Sequence, residues 1–268
     1  AVKWSLLGFG NTAAGIGWVV ALAAIIGTCM MGSGAADRVV RSLMAVFGEK
    51  RAGVVLLLSG FLLSIPVFFD TVFFLLIPLA RALALRTGKH YTLYVMAMAG
   101  AGAITHSMVP PTPGPLMIAD GLKLDLGVTM MAGLVASLLP ALLVLKMATW
   151  FDKKYNIPMR DTPGASEKEL KSIVEKKDED LPPLFLSALP IAFPVVLIST
   201  VSILKLLMKT AEEGSALATE GYLAFFEYLA FFGSPNVAMT VAAGVAIFTL
   251  AQQVIREAAG KDLNLSKK

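Results

Sequence analysis

The chain has one cysteine, Cys29, and only two histidines, His90 and His106. A single thiol cannot close an intrachain disulfide or build a cysteine-based metal site. Two histidines cannot make a multi-histidine cluster, so no metal site is expected. Charge is scarce too: 16% of the 268 residues are Asp, Glu, Lys or Arg, against 56% hydrophobic. With a mean hydropathy of +0.73, too little polar surface remains to cover a water-soluble domain. The composition therefore implies an all-α polytopic membrane protein whose surroundings are a lipid bilayer. The net charge of +4 is spread in short basic clusters between apolar runs. That pattern argues against a nucleic-acid partner and for loops held in the cytoplasm. No basic stretch with a small-residue cleavage site opens the chain, so nothing reads as a signal peptide. Because it begins at Ala1 without an initiator methionine, a fragment or a processed chain is expected.

What is present is a series of long apolar runs, two of them interrupted. Residues 15–31, with 8–14 before them, are long enough for a first span. Residues 35–47 place Val39, Val40, Leu43, Met44 and Phe47 on one helical face, with Asp37, Arg38 and Arg41 elsewhere, as in an interfacial helix or a short packed connector. Residues 53–80 would measure roughly 42 Å as one helix, more than a bilayer core requires. They are broken in the middle by Ser64-Ile65-Pro66 and Asp70, and basic residues flank both ends: Lys50 and Arg51 before, Arg81, Arg86 and Lys89 after. Arms too short to cross and both ends on the same side predict a re-entrant helical hairpin. The alternative is one long, tilted, Pro-kinked helix.

The second interruption lies within residues 91–122, read as a broken helix. Pro110, Pro111, Pro113 and Pro115, with Gly114, fall inside otherwise apolar sequence, and no helix can run through them. Backbone freed at membrane depth is tolerated only where protein buries it or where it lines a polar cavity. Gly114 as cap and Pro115 as first helical residue would leave the amides of Leu116 and Met117 free for a carboxylate. Residues 126–150 then return as a full span with a kink at Pro140. Residues 151–183 form a charged cytoplasmic loop with helical periodicity over 168–181. Residues 184–268 hold further spans: 184–207 bent at Pro190 and Pro194, an outer loop with Glu212, Glu213 and Glu220, an aromatic interfacial stretch at 222–232, and a last span at 237–255. Arg256, Lys261, Lys267 and Lys268 mark the cytoplasmic end of that span. Residues 1–150 are read as the membrane domain that holds the hairpin and the broken helix.

The two interruptions bring helix ends to mid-membrane depth, a geometry that transporters use to hold anionic solutes. The candidate substrate-binding residues are Ser64, Phe69, Thr105, Ser107, Thr112, Gly114 and Leu116. Asp70, a lone carboxylate in an apolar run, either carries a proton or caps the second hairpin arm. His106 is the second candidate proton carrier, or a satisfied buried histidine that fixes the break. The hydroxyls of Thr105, Ser107 and Thr112 can bond a substrate or merely the freed backbone.

At these residues the chain resembles the GntP family of gluconate permeases, within the ion transporter superfamily. The matching stretches are Gly48-Glu49-Lys50-Arg51-Ala52; Ser59-Gly60-Phe61-Leu62-Leu63-Ser64-Ile65-Pro66-Val67-Phe68-Phe69-Asp70, followed by Leu75-Leu76-Ile77-Pro78-Leu79; and Thr105-His106-Ser107-Met108-Val109-Pro110-Pro111-Thr112-Pro113-Gly114-Pro115. The resemblance implies proton-coupled symport of gluconate or a related small hydroxy-carboxylate across the bacterial inner membrane, without a cofactor. It also implies one half of an inverted-repeat fold moving elevator-like in a homodimer. Family members usually read His-Pro-Gly-Pro where this chain has Thr112-Pro113-Gly114-Pro115, which leaves substrate and coupling open. They are also considerably longer, so the second hairpin and second broken span are expected beyond this chain. The competing readings are a channel or a non-transporting membrane scaffold and, least favoured, an intramembrane protease, for which Ser33 with His106 is the sole nucleophile and base pairing.

Overall fold

The computed structural model describes residues 2–155, 157–159, 180–210 and 220–265. Its helices are α1 (Val2–Gly32), α2 (Ala35–Phe47), α3 (Ala52–Leu63) after a 3-10 turn (Glu49–Arg51), α4 (Phe69–Thr87), α5 (Tyr91–Met108), α6 (Pro113–Gly121), α7 (Leu126–Tyr155), α8 (Leu184–Thr210), α9 (Glu220–Phe232) and α10 (Pro235–Leu265). No strand occurs among the described residues. Lipid offers the backbone no hydrogen-bond partner, so apolar runs of this length satisfy their own amides and carbonyls as helix. Five stretches among the described residues are long and apolar enough to cross a membrane: Val2–Gly32, Tyr91–Gly121, Leu126–Tyr155, Leu184–Met208 and Pro235–Ala259. The protein is an all-α, multi-pass membrane protein.

The residues around the first interruption form an antiparallel helix pair. A Cβ on Gly53 would lie 3.0 Å from the Leu93 side chain, one on Gly60 would meet the Met98 carbonyl, and one on Gly102 would lie 2.9 Å from Ser64 Oγ. Contact therefore advances along both helices together, and α3 runs parallel to α5. The Phe69 ring that opens α4 packs on the same Gly102, while the other end of α4 joins α5 through Gly88, Lys89 and His90. So α4 runs back against α5, and the outer ends of α3 and α4 lie together beside the start of α5. At 12 residues, α3 measures about 18 Å, well short of a bilayer core. The second arm continues to Thr87, beyond residue 80, because Arg81 is not a loop marker: it is buried, 8% exposed, inside α4.

α5 is the centre of the packing, wedged between α3 and α7, with α4 along its side. On the other side α1 and α8 pack on α10, and α2 lies across α3 and α8. Van der Waals contact, rather than release of water, holds helices together in lipid, so close approach over glycine counts. The carbonyl of Met98 against Gly60 and that of Met108 against Gly133 leave no room for a side chain at either glycine. Between α6 and α7, Asp125 Oδ1 accepts the amides of Gly127 and Val128 at 3.0 and 3.1 Å. Burial of Asp125 alone would raise its pKa. The Ser202 hydroxyl, those two amides and Lys205 together outweigh burial and hold the carboxyl below its ordinary range.

Other boundaries moved for local reasons. α1 is helical from Val2, ahead of the span expected at 15–31 together with 8–14. α7 continues to Tyr155, past the expected start of the cytoplasmic loop at 151, because Lys153 and Lys154 suit the negative end of a helix. Lys154 Nζ also lies 4.7 Å from the Trp150 ring centroid and 5.3 Å from that of Tyr155. Pro140, Pro190 and Pro194 lie inside continuous helices. The helical periodicity expected at 168–181 falls almost wholly outside the described residues, as do Glu212, Glu213, Lys267 and Lys268.

Candidate functional site

The loop at 64–68 follows from its sequence. α3 unwinds through hydrogen bonds from the Ser64 amide to Gly60, Ile65 to Leu62 and Val67 to Leu63, at 3.2 to 3.3 Å. Pro66 has no amide to continue the series. Phe68 is extended (φ −61°, ψ 141°) and stands at the cap of α4 without a side-chain cap bond. Its carbonyl takes the Val72 amide at 3.1 Å. The amides of Phe69, Asp70 and Thr71 form the first turn and have no intrahelical acceptor.

Facing this end is the last part of α5, where Gly102, Thr105 and His106 share one helical face. Ser64 and Thr105 are both fully buried, yet Ser64 Oγ and Thr105 Oγ1 have no hydrogen-bond partner, and neither has His106 Nδ1. A buried polar group left unpaired costs about 1–3 kcal/mol, so three near one helix end call for a ligand or ordered water. The Phe68 ring stands edge-on to the His106 imidazole, centroids 6.0 Å apart. Asp70 is exposed on the surface of the described residues, and its carboxylate is close enough to act electrostatically on His106.

Of the residues expected from sequence, the structure thus gathers Ser64, Phe69, Asp70, Thr105 and His106. The others are engaged or directed differently. Ser107 is exposed, and its hydroxyl donates to the Ala103 carbonyl at 2.7 Å. Thr112 is buried and donates to the Val109 carbonyl at 2.7 Å. Gly114 is exposed, with open space where a Cβ would be.

α6 also begins two residues earlier than expected, with Thr112 as cap and Pro113 as first helical residue. The fixed φ of Pro113 suits that position, and Pro115 fits the first turn, where its missing amide would have had no acceptor. The expectation of a free Leu116 amide is therefore corrected: it donates to the Thr112 carbonyl at 3.0 Å, and the Leu116 side chain packs into the core with Ile16. Gly114 supplies the sole amide of that first turn free to bind anything.

Sequence reasoning missed Gly102, whose bare Cα lets Ser64 and Phe69 approach α5, and it missed the His106 ring as the packing partner of Phe68. The small-residue run at 97–103 was the available signal for the glycine. Among the described residues no three His, Cys, Asp or Glu side chains gather as a metal site.

The described residues thus form a multi-pass helical membrane protein with two breaks between helices, and with unpartnered polar groups where one break meets its neighbour. The chain belongs to the GntP family permeases, whose profile matches residues 2–263. It is 36% identical to an uncharacterized permease of Haemophilus influenzae over 91% of this chain and 49% of that protein. It is 31% identical to a gluconate permease of Pseudomonas aeruginosa, over 90% of this chain and 50% of the other. It is 28% identical to the Gnt-II system L-idonate transporter of Escherichia coli, over 92% and 52%. The chain spans about half the length of the curated relatives it matches. No solved structure matches it.

Proposed function

We propose that the protein to which this chain belongs carries gluconate or a closely related sugar acid across the bacterial inner membrane in symport with protons. The relatives named as gluconate permeases and as an L-idonate transporter share a ligand class, a carboxylate on a chain of hydroxyls. The observation that carries the reading is the pair of buried, unpartnered hydroxyls, Ser64 and Thr105, beside the uncapped start of α4. The amides of Phe69, Asp70 and Thr71 at the positive end of that helix suit a carboxylate. Ser64 Oγ and Thr105 Oγ1 suit the substrate hydroxyls. The shortness of α3 favours a re-entrant hairpin with the site at its tip, near mid-membrane.

Coupling follows from the position of Asp70. Ionised, its carboxylate lies in the first turn of α4 and competes there with a bound anion. Once protonated, it no longer repels the substrate, so proton and sugar acid travel together. His106, within electrostatic reach, can pass or receive that proton. The second half of an inverted-repeat carrier, an elevator-like motion and a homodimer belong to the same reading.

Radiolabelled gluconate uptake into vesicles bearing the full-length gene product tests it, with and without an imposed proton gradient. Saturable uptake that rises with an inward gradient is expected. Asp70→Asn and His106→Ala should each weaken the dependence on the gradient, and full gradient-driven uptake in both variants would remove them as carriers. Uptake indifferent to the gradient would remove proton coupling itself.

A further inference from the structure

We infer that Asp152, on the last turns of α7, is a positioning residue for the site at the start of α4; the inference rests on the transport reading above. Its side chain is 8% exposed, and its Oδ2 lies 2.6 Å from His90 Nδ1, which donates to it. Its Oδ1 accepts the Leu93 amide at 3.3 Å. α5 has no cap of its own, because His90, in the cap position, is left-handed (φ 70°) and makes no side-chain cap bond. Leu93 is the third helical residue, and its amide would otherwise lack an acceptor. Asp152 supplies that acceptor from another helix.

The dipole of α7 disfavours an acid near its C-terminal end, so local helix energetics give no reason for this carboxylate. The positive end of α5 does. His90 belongs to the three-residue turn from α4 to α5, in which Gly88 (φ 66°) is also left-handed. A left-handed conformation is costly for a residue with a side chain. The bond to Asp152 and the Tyr94 ring, edge-on with centroids 6.2 Å apart, hold His90 in it. One carboxylate therefore ties the end of α7 to the start of α5 and to the turn that sets the relative register of α4 and α5.

That register decides the geometry of the site. α4 begins at Phe69 on one side of it, and α5 brings Gly102 and Thr105 to the other. A slip of α5 by one residue would move Thr105 by about 1.5 Å relative to Ser64, roughly half a hydrogen-bond length. Asp152 touches no substrate in this arrangement. It fixes how closely the two hydroxyls and the amides of α4 can converge on one ligand.

The test uses the full-length gene product in vesicles, with Asp152→Ala, Asp152→Asn and Ser64→Ala alone and combined. Asp152→Ala is expected to raise the KM for gluconate roughly tenfold, with Vmax per folded transporter held within about twofold. Asp152→Asn keeps one acceptor and loses the charge, so it should fall between wild type and Asp152→Ala, and it serves if the alanine variant does not fold. The KM effects of Asp152→Asn and Ser64→Ala should combine to less than their product, because both act on one geometry. A KM unchanged in Asp152→Asn, with only the yield of folded protein reduced, would overturn the inference, and so would effects that simply multiply. Amide exchange separates this failure from that of the transport reading. If wild-type protein takes up no sugar acid, transport fails, while faster exchange at Leu93 and on through Thr105 in Asp152→Asn still supports the clasp. Unchanged exchange at both overturns it.

Discussion

At 64–68, between α3 and α4, the chain turns with one proline and leaves the amides of Phe69, Asp70 and Thr71 and the hydroxyls of Ser64 and Thr105 without partners. At 109–112, between α5 and α6, prolines take up most of the first turn of the new helix. Thr112 spends its hydroxyl on Val109, and the Leu116 amide is bonded to Thr112. The richer motif is thus the more self-satisfied one. Prolines break a helix, but they also delete the donors that a ligand would use. The proline-rich break shapes the path of the chain, and the plainer one keeps its polar groups unpaired.

The sharpest way to break this contrast is to add bulk on each side. A Cβ at Gly102 would lie 2.9 Å from Ser64 Oγ and 3.2 Å from the Phe69 ring. Overpacking of this kind costs about 1–3 kcal/mol, so Gly102→Val should raise the gluconate KM by about 10- to 100-fold. Gly114→Ala, in open space, should leave uptake within about twofold of wild type. The reverse ranking in vesicle uptake would exchange the roles of the two breaks.

Removing hydroxyls gives a smaller effect with an unusual sign. Ser64→Ala should raise KM by about tenfold yet leave the substrate-free protein at least as resistant to heat, since no internal hydrogen bond is lost. Thr112→Val should do the opposite, lowering stability by about 0.5–1.5 kcal/mol with KM unchanged. Thermal melting beside uptake kinetics separates them, and a Ser64→Ala variant that melts early would mean its hydroxyl has a partner.

The smallest effect concerns the far end of α6, which Asp125 joins to α7. Its carboxyl is held below the ordinary carboxylate range, so its contribution is complete above that range, near pH 4, and is lost as pH falls through the lower folded value. At neutral pH Asp125→Asn should melt slightly below wild type, and the gap should close in acid. A gap that widens in acid would contradict the assigned direction.

Much of the fold was legible because its causes are local. Apolar runs announced the spans, Ser64-Ile65-Pro66 and the four prolines announced the two breaks, and the alternation of face in 35–47 announced α2, which the structure builds over the same residues. Arg81 misled because charge in a loop and charge buried in a helix look alike in sequence. The Gly114 cap misled because two prolines two residues apart each satisfy the same local rule. Gly102 and Asp152 were illegible for another reason: their partners, Ser64 and Phe69 for one and His90 and Leu93 for the other, lie far along the chain.

By itself, then, the sequence determined that this is a helical membrane protein, where its helices must stop, and which polar residues lie at those stops. Covalent geometry and the length of apolar runs act within a few residues and need no partner. Only the folded structure decided which of those polar groups remain unpaired, because packing against distant segments buries the Ser64 and Thr105 hydroxyls without a partner, while bonds within one turn occupy the Thr112 hydroxyl and the Leu116 amide. That selection left Ser64 and Thr105 open, closed Thr112 and Leu116, and gave α5 a cap from the opposite end of α7.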